Sequence, residues 1–501
     1  MHSKFFVKKI KYFSLLIVFT VLLCFADGAG CNFTSSARTK VSDVSIEGFA
    51  VLQITLDGYN ESDIDRNSWS PIKYTLRYDD TIIRGAKAQI KGRGNYTWGQ
   101  AKRPYAIKCD EKTDWFGFGA AKDWVLLANY TDQTHLRNYI AFKLAAKFSF
   151  AFTPEVRPCH VFINGQYNGL YLVAEKVEID KKRLDINPKA GAVLLELDNN
   201  YGSGEPVKFT SSMGNTYVIK DPDQEEYNEL TANLSDAESF NRVKLHVKTA
   251  VNAFEEAIIG GASLEELSGY MDMDSFVDWY IFNEIEKNDD TLFNSSIYLY
   301  YDEEGILHMG PVWDYDLAMG GIDRNDGKNV SPEGLMFSEN YWDRPNWFDY
   351  LLNREDFMSL VKARWTGLYN EGVFTDILTE LDTARLEVYT HYEFDYERWQ
   401  NGGVFVRSED YQQAVDSLKS FYAKRVKWLD SVWNDGSLPC ENESPENEES
   451  STPEITGSPD VPPDESESKA AEASNLYIIL ICVFCAAVSV SASAFLIRRK
   501  H

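Results

Sequence analysis

The sequence predicts an α+β fold, with a β-rich N-lobe followed by a helical C-lobe, plus a signal peptide and a C-terminal transmembrane helix. Three observations support this prediction. Runs in the first half of residues 40–435 alternate between apolar and polar residues or are continuously apolar, which is typical of strands. The second half has apolar residues at helical spacing. Both ends of the chain combine an apolar segment with basic residues.

The first 30 residues have the pattern of an export signal. Four lysines precede an apolar stretch, residues 13–25, and small residues follow it. We therefore expect residues 1–30 to be a signal peptide that is cleaved around residues 26–30. A retained signal anchor is the alternative.

The C-terminal end has the pattern of a membrane anchor. Residues 476–497 carry no charge and would span about 33 Å as a helix, which is enough to cross a bilayer core. Residues 498–501 form a basic tail, which places this end in the cytoplasm. Residues 437–474 are rich in Glu, Ser and Pro, so we expect a disordered acidic stalk. The large domain would then lie on the extracytoplasmic side of the cell membrane.

Charge and cysteine content exclude some classes of protein. The formal net charge is −27 and no basic stripe recurs, so no nucleic-acid partner is expected. Four cysteines lie outside the predicted signal and membrane segments, and their spacing is unlike that of a metal site. A disulfide between Cys31 and Cys440 would join the two ends of the central domain.

Five stretches of the first half predict strands, and one predicts a helix. The strand stretches are DVSIEGFAVLQITLD, KYTLRYD, GAKAQIKGRG, PYAIKCD and CHVFINGQYNGLYLVAEKVEID. The sequence NGQYNG at residues 164–169 predicts a hairpin turn within the last of these. Residues 133–149 have helical spacing.

The second half predicts a helix, a hairpin and a long closing helix. Residues 272–288 have apolar residues near one broad helical face, and residues 295–316 read as a strand pair that turns at residues 303–305. Residues 408–433 are amphipathic and predict the closing helix. No internal repeat is present.

The predicted helix–hairpin unit contains a group of acidic and amide residues. Asp289, Asp290 and Asn294 follow the helix, and Asp314 follows the hairpin. An Asp with an Asn four residues later, and a further Asp after a hairpin, is a layout that phosphoryl-transfer enzymes use for the acceptor hydroxyl and for Mg²⁺. An Asx turn at a polar helix end is the alternative.

Two carboxylates lie one residue apart in an apolar stretch, HMGPVWDYDLAMGG. If the stretch is extended, Asp314 and Asp316 share one face and lie roughly 7 Å apart. Like charges this close repel unless a cation or hydrogen-bond donors intervene. A metal-binding or catalytic role is therefore favoured for the pair, and a cap of the turn that follows is the alternative for Asp316.

A glycine-rich turn with basic neighbours lies between two predicted strands. The turn contains Gly92, Gly94 and Asn95, and its basic neighbours are Lys91, Arg93, Lys102 and Arg103. Backbone amides of such a turn, together with cations, suit phosphate groups. An ordinary hairpin with a solvated basic rim is the alternative.

Glu175 lies among apolar residues at the end of a predicted strand, so its carboxylate needs a partner. Lys108 and Arg93 are the candidates. The pair would be a structural ion pair or would position a nucleotide.

Several of these motifs occur in one known family. KGRGNYTWG, KRPYAIKCD, DWVLLANYTDQTHLRNYIAFKLA, VFINGQYNGLYLVAEKVEID and GPVWDYDLAMGG occur in this order. Together they resemble the CotH family of spore-coat-type protein kinases. The resemblance extends from about Gly85 to Gly321, with a weaker similarity in the closing helix.

The resemblance implies an atypical protein-kinase-like two-lobed domain that uses ATP and Mg²⁺ (or Mn²⁺) to phosphorylate protein Ser or Thr. It implies the following roles: catalytic, Asp290 or Asp289; metal, Asp314 with Asn294 or Ser295, and Asp316; nucleotide and phosphate, Lys108, Glu175, Arg93 and Asn95. The family often has a single Asp followed by Gly where this chain has Asp289–Asp290–Thr291, so either acid could orient the acceptor.

Some relatives in this family are surface proteins that bind host cells. A non-catalytic adhesion or binding protein on the same fold is therefore the alternative function. Retention of Asp290, Asn294 and Asp314 together favours catalysis, because adhesion alone does not need them. Asn294 also lies in an Asn-Ser-Ser glycosylation sequon.

Overall fold

The computed structural model describes residues 48–200, 207–234, 238–324, 326–339 and 342–434, and all of them belong to one compact unit. The predicted signal peptide, acidic stalk, transmembrane helix, basic tail and Cys31–Cys440 disulfide lie outside these ranges and stay predictions. Within these ranges, no helix is both long enough and apolar enough to span a membrane.

Seven strands close into a barrel. In chain order they are β1 (Val51–Leu56), β2 (Ser70–Tyr78), β3 (Thr81–Gly92), β4 (Tyr105–Asp114), β5 (Ala120–Leu127), β6 (Val156–Ile163) and β7 (Gln166–Glu175). The order around the barrel is β1-β2-β3-β4-β5-β7-β6, and the parallel pair of β1 with β6 closes it. The β-rich N-terminal region is thus confirmed. The sequence did not predict β5 or the closure, because closure depends on pairing between strands far apart in the chain.

The barrel interior is filled mainly by aromatic and aliphatic side chains. Trp115 and Trp124 are fully buried and stack with their ring centroids 5.1 Å apart. Ile107 and Cys109 of β4 belong to the same core, so Lys108 between them points out of the barrel. The predicted hairpin turn is confirmed at Asn164–Gly165, where φ is +51° and +75°, as a tight two-residue hairpin requires.

A second, antiparallel sheet follows the barrel. Its strands are β8 (Val193–Leu197), β9 (Lys208–Thr210), β10 (Thr216–Asp221), β11 (Ile297–Tyr301) and β12 (Leu307–Met309), in the order β12-β11-β8-β10-β9. The pair β11–β12 is the predicted hairpin. The sequence did not predict β8, because every residue of this strand is buried and alternation is therefore lost.

Helices make up most of the C-terminal part. They are α1 (Arg137–Ala145), α2 (Gln224–Thr231), α3 (Phe240–Ile259), α4 (Leu264–Leu267), α5 (Met273–Glu286), α6 (Phe348–Leu351), α7 (Glu355–Asn370), α8 (Val373–Trp399) and α9 (Tyr411–Trp433). The predicted helix in residues 272–288 is α5, and the predicted closing helix is α9. The 27-residue helix α8 was not predicted as a separate element.

Helix α5 is enclosed on all sides by the other elements. Every residue from 275 to 286 is buried, including the carboxylate of Glu284. Arg425 of α9, also fully buried, donates to that carboxylate at 2.7 Å and to the Glu284 carbonyl at 2.7 Å. The same guanidinium donates to the carbonyls of residues 332 and 334. Arg425 therefore joins α5, α9 and the loop at residues 332–334.

Buried polar contacts attach the barrel to α8. Lys102 lies 2.7 Å from Asp395 of α8, and His135 lies 3.3 Å from the other oxygen of that carboxylate. Lys102 is fully buried, so the prediction that it belongs to a solvated basic rim is wrong. A charge this far from water is held by its partner.

A histidine pair makes a second contact between the barrel and α8. His160 of β6 is within 2.9 Å of His391 of α8 through ring nitrogens, and its other nitrogen is 2.9 Å from the Tyr167 hydroxyl. Burial lowers the pKa of His160 to about 3 and also lowers the pKa of His391. Both rings are therefore neutral in the folded protein at neutral pH.

Arg425→Met is expected to reduce the free energy of unfolding by about 3–5 kcal/mol, because it leaves the Glu284 carboxylate buried without its cation. Urea unfolding of the full-length protein measures this. Lys419→Met on the same helix is the matched control: Lys419 pairs with Asp382 in an exposed position, so its loss should cost less than about 1 kcal/mol. Equal losses in the two variants would contradict the role assigned to Arg425.

His160→Gln is expected to flatten the dependence of the free energy of unfolding on pH. The lowered pKa means that the neutral ring contributes stability above about pH 6.5, and that this contribution is lost as pH falls toward 3. Between pH 7 and pH 5 the wild type should lose about 2 kcal/mol more through this residue than the variant. Urea unfolding at pH 7, 6 and 5 measures it.

His308→Gln is the control of opposite sign. The hydrogen bonds that His308 donates to the Asp272 and Asp302 carboxylates raise its pKa despite its burial. His308 therefore contributes stability at low pH that is lost as pH rises through its folded pKa. Its removal should make the loss between pH 7 and pH 5 larger. Parallel pH profiles for all three proteins would refute both assignments.

Candidate active site

The C-terminal end of α5 presents the first acidic residues. Lys287, with φ +48°, ends the helix, and a 3₁₀ turn over Asp289–Thr291 follows. Asp289 is buried, whereas the Asp290 side chain is 24% exposed. Burial raises the pKa of Asp289, and its hydrogen bond with Asn329 partly offsets this. Of the two catalytic candidates, Asp290 is therefore the one that a ligand can reach.

The segment after β12 brings Asp314 to the same place. Residues 311–315 form no strand, so the extended geometry predicted for Asp314 and Asp316 is wrong. Asp314 has φ +72°, and the nearby Phe293 and Ser296 have φ +54° and +58°. Residues other than glycine seldom adopt this region, and such residues cluster at functional sites.

Asp314, Asp290 and Arg93 lie close enough to interact electrostatically, where the chain after β3 approaches the loops after α5 and β12. The Ser296 hydroxyl donates to Asp314 at 3.1 Å, and the Arg93 guanidinium lies 5.0 Å from the centroid of the Trp313 ring. Burial and the charge of Asp290 raise the pKa of Asp314, while Arg93 and Ser296 partly lower it. The predicted phosphate contact Arg93 and the predicted metal ligand Asp314 are thus close together. We call this place the acidic cleft.

Asn294 lies in the loop after α5, two residues before the Ser296 that bonds to Asp314. It is fully buried, and neither atom of its side-chain amide has a hydrogen-bond partner among the described residues. Its backbone carbonyl accepts from the Asn199 amide at 2.7 Å, so its position is fixed. A buried amide without a partner is costly, and a ligand at this amide would remove the cost. Its burial also disfavours use of its sequon for glycosylation.

Arg324 occupies the position next to the two acids of the 3₁₀ turn. Its guanidinium lies 2.6 Å from Asp290 and 3.5 Å from Asp289. These carboxylates raise the pKa of Arg324 against the effect of its burial. A candidate catalytic carboxylate thus has a cation as its partner, which the sequence did not predict.

Asp316 contacts the barrel side of the cleft. Its carboxylate accepts a hydrogen bond from the Thr131 hydroxyl, and the amides of Ala318, Met319 and Gly321 in the turn donate to backbone carbonyls instead. The expectation that Asp316 caps this turn is therefore wrong. Burial, and next the charge of Asp314, raise the pKa of Asp316 to about 7.

Arg137 reinforces this connection to the turn. It pairs with Asp132 and donates to the Ala318 carbonyl at 2.9 Å. The loop between β5 and α1 and the turn after Asp316 are thus held by a hydroxyl–carboxylate contact and by a buried arginine.

The predicted pairing of Glu175 with Lys108 or Arg93 is wrong. The Glu175 carboxylate lies 3.6 Å from Arg183 and accepts from the Glu155 amide at 3.0 Å. Lys108 is exposed on the outer face of the barrel, whereas Glu175 is buried beside Trp124. Strand alternation puts the two side chains on opposite faces. Burial raises the pKa of Glu175 to about 7.

Asn95 lies in an exposed turn outside the acidic cleft. Its side-chain oxygen accepts from Arg66 at 2.8 Å, and no contact joins it to the acids within the described ranges. A cofactor role for Asn95 thus has no geometric support. Gly94 in the same turn has φ +75°, a backbone conformation that glycine adopts without steric cost.

Several residues of the cleft were missed by sequence reasoning. Arg93 interacts electrostatically with Glu196 and Tyr298 as well as with Asp314, and Glu196 pairs with Lys220 at 2.9 Å. The register of β8 with β11 brings Glu196 opposite Tyr298. A signal was present in the sequence, since ELDNN at residues 196–200 places polar residues directly after an apolar run.

The acidic cleft offers oxygen ligands for one hard cation. The described residues contain no cluster of three His, Cys, Asp or Glu side chains that could hold a metal by themselves. A Mg²⁺ site of the phosphoryl-transfer type needs only one or two carboxylates, because phosphate oxygens and water complete it. Asp314, with its raised pKa, and the unpartnered Asn294 amide fit that requirement.

A β-rich N-terminal region, helices in the C-terminal part and this arrangement of Asp, Asn and Arg define a kinase-like protein. The family model described as CotH kinase protein matches residues 90–429, which is more than half of the chain. This protein therefore belongs to the CotH kinase family. A search of curated proteins found no significant match.

Asp314→Asn is expected to abolish stabilisation by divalent cations. In the wild type at pH 7.5, saturating Mn²⁺ or Mg²⁺ should raise the melting temperature by about 2–4 °C, because the ion binds only the folded state. Differential scanning calorimetry measures this. Glu304→Gln, an exposed acid in the β11–β12 turn, should keep the full shift. The same shift in Asp314→Asn as in the wild type would exclude a metal site at Asp314.

Proposed function

We propose that this protein is a membrane-anchored extracytoplasmic protein kinase of the CotH type. It would transfer the γ-phosphoryl group of ATP to Ser or Thr of surface, coat or secreted proteins, using Mg²⁺ or Mn²⁺. The observation that carries this proposal is the electrostatic proximity of Asp290, Asp314 and Arg93, with the unpartnered Asn294 amide two residues before the Ser296 that bonds to Asp314. The membrane location rests on the sequence patterns at residues 1–30 and 476–497 alone.

Asp290 would orient the acceptor hydroxyl. It is the more exposed of the two neighbouring acids, and Asp289 is enclosed with Asn329 and Arg324. As the acceptor oxygen bonds to the γ-phosphorus, the bond to the β–γ bridging oxygen breaks and ADP leaves. The hydroxyl proton passes to Asp290. Asp289 would act through Arg324, as a positioning residue.

Asp314 and Asn294 would hold the metal ion, which would offset the negative charge of the phosphates. Asp314 is suited to this because burial and the nearby Asp290 both disfavour its charged form when no cation is present. Asp316 would support Asp314 through its contact with Thr131.

Basic residues on the outer face of the barrel would bind the phosphates. Burial lowers the pKa of Lys91, and so do the neighbouring charges of Lys176 and Lys108, while Asp123 opposes this. Arg93 follows Lys91 by two residues, so both belong to the same side of the chain. A polyanion such as a triphosphate would reduce the repulsion between these cations.

The alternative, an adhesion or binding protein on the same fold, has one specific observation in its favour. The ion pair of Arg324 with Asp290 occupies the carboxylate that would orient the acceptor. Catalysis requires either that Arg324 moves when substrate binds or that it holds Asp290 in position while the proton is transferred.

Asp290→Asn and Asp314→Asn are each expected to reduce phosphoryl transfer at least about 100-fold, because each removes a group that acts on the transferred phosphoryl or its acceptor. Incubation of the full-length protein with γ-labelled ATP, Mg²⁺ or Mn²⁺ and a generic acidic protein substrate measures this. Glu304→Gln should label as the wild type does.

Calorimetric titration with ATP separates the two functions. If Asp290→Asn still binds ATP but no longer labels the substrate, the result supports the kinase function. Equal labelling of the wild type and both variants would exclude the roles proposed for Asp290 and Asp314 in phosphoryl transfer. Absence of nucleotide binding by the wild type would favour the adhesion protein.

A further inference from the structure

A groove lies at one end of the barrel, separate from the acidic cleft. Its volume is about 510 Å³, and its lining includes Gln100, Arg103, Gln166, Asn168, Arg398 and Trp399. These residues come from the loop after β3, from β7 and from the end of α8. We call it the Arg103–Arg398 groove.

Two guanidinium groups in this groove have no carboxylate partner. Arg103 lies over the Trp98 ring at 4.8 Å and Arg398 over the Trp399 ring at 4.3 Å, and within the described ranges neither forms an ion pair. The buried Nε of Arg398 also has no hydrogen-bond partner there. Glu61, the carboxylate of the lining, accepts from the Tyr105 hydroxyl at 2.9 Å. The groove therefore has cationic donors to offer.

The groove also contains a buried acceptor that is not used. Asn168 is 2% exposed, and its side-chain oxygen has no partner among the described residues. Its amide nitrogen donates to the Tyr171 hydroxyl at 3.0 Å, which in turn donates to the Arg103 carbonyl at 2.9 Å. These bonds fix the amide, so the free oxygen is held ready for an N–H donor.

The floor of the groove is built tightly. The Trp399 indole donates to the Asn168 carbonyl at 3.0 Å. A Cβ atom at Gly169 would come within 2.9 Å of that indole nitrogen, and φ is +134° there. Only glycine permits Trp399 to lie this close to β7. The arrangement of Asn168, Trp399 and Arg398 thus depends on a specific backbone.

The groove and the acidic cleft are connected by two segments of chain. The Arg93 amide donates to the Pro104 carbonyl at 3.2 Å, so the loop from Arg93 in the cleft ends beside Arg103 in the groove. Tyr130 contacts the Trp399 ring edge-to-face at 6.3 Å, and the next residue, Thr131, bonds to Asp316. These contacts join the backbone around Arg93 and Thr131 to residues beside or within the groove.

We propose that the Arg103–Arg398 groove binds an acidic side chain of an extended protein segment, and that it docks acidic substrates of the phosphoryl transfer proposed above, on which this inference rests. Arg103 and Arg398 pair with the carboxylate, and the Asn168 oxygen accepts a backbone N–H of the same segment. Guanidinium groups suit a carboxylate because their donors match its two oxygens. From the sequence, Arg103 was either a phosphate contact or part of a solvated basic rim, and its position in this groove gives it another role.

The test measures binding of a fluorescein-labelled decapeptide of alternating Glu and Ser to the full-length protein by fluorescence anisotropy, without nucleotide. Arg103→Gln and Arg398→Gln should each weaken binding about tenfold, and the double variant about 100-fold. Arg84→Gln, an exposed arginine of β3, is the matched control and should bind as the wild type does. Unchanged affinity in the double variant overturns the proposal.

A second measurement needs no variant. The decapeptide with Gln in place of Glu should bind at least about tenfold more weakly to the wild type, and added salt should weaken only the acidic peptide. Equal affinity for both peptides overturns the proposal.

Nucleotide binding by the double variant separates this inference from the proposed function. ATP affinity should equal that of the wild type, while KM for the acidic peptide rises and kcat stays unchanged. The peptide could bind through the two arginines although the protein transfers no phosphoryl group. In that case the groove would still be a binding site for acidic segments, but it would have no role in substrate docking. Loss of ATP affinity in the double variant would instead place the two arginines in the nucleotide site and overturn the groove.

Discussion

The ion pair between Glu284 and Arg425 is the interaction on which the site depends most. Helix α5 is buried all round, and its end carries Asp289 and Asp290, so any shift of the helix moves both acids. The buried pair joins α5 to α9, and the remaining donors of the guanidinium hold the loop at residues 332–334. A buried charge pair is geometrically demanding because each missing bond leaves a charge without solvent. The Glu284–Arg425 pair therefore holds α5 at one position along its axis.

The acidic cleft is held in a state that favours cations. Burial and the charge of Asp290 raise the pKa of Asp314, and Arg93 and Ser296 offset only part of this. Positive φ at Phe293, Ser296 and Asp314 means that the surrounding packing holds the backbone in a conformation it would otherwise avoid. Both features are costs that a bound metal and nucleotide would repay. Arg324, through its ion pair with Asp290, holds the carboxylate to which the proposed phosphoryl transfer assigns the acceptor hydroxyl.

Position along the barrel gives neighbouring basic residues different roles. Arg93 faces the acidic cleft, Lys102 is buried against Asp395, and Arg103 lines the groove. The sequence presents them as one basic cluster around a glycine-rich turn. The loop that begins at β3 and ends at β4 separates them, because adjacent residues on extended chain point to opposite sides. Arg93 and Arg103, near the two ends of this loop, therefore belong to two different sites, the acidic cleft and the Arg103–Arg398 groove.

The sequence by itself determined the helix–hairpin unit that carries Asp290, Asn294 and Asp314, since helical spacing, a turn and local polar residues are all short-range signals. It also determined the β-rich start and the closing helix. Only the tertiary structure decided that seven strands close into a barrel, that Glu175 pairs with Arg183, that Lys102 is buried and that Arg324 meets Asp290. These outcomes depend on which residues, distant in the chain, share a face after strand pairing and helix packing, and no local pattern encodes that.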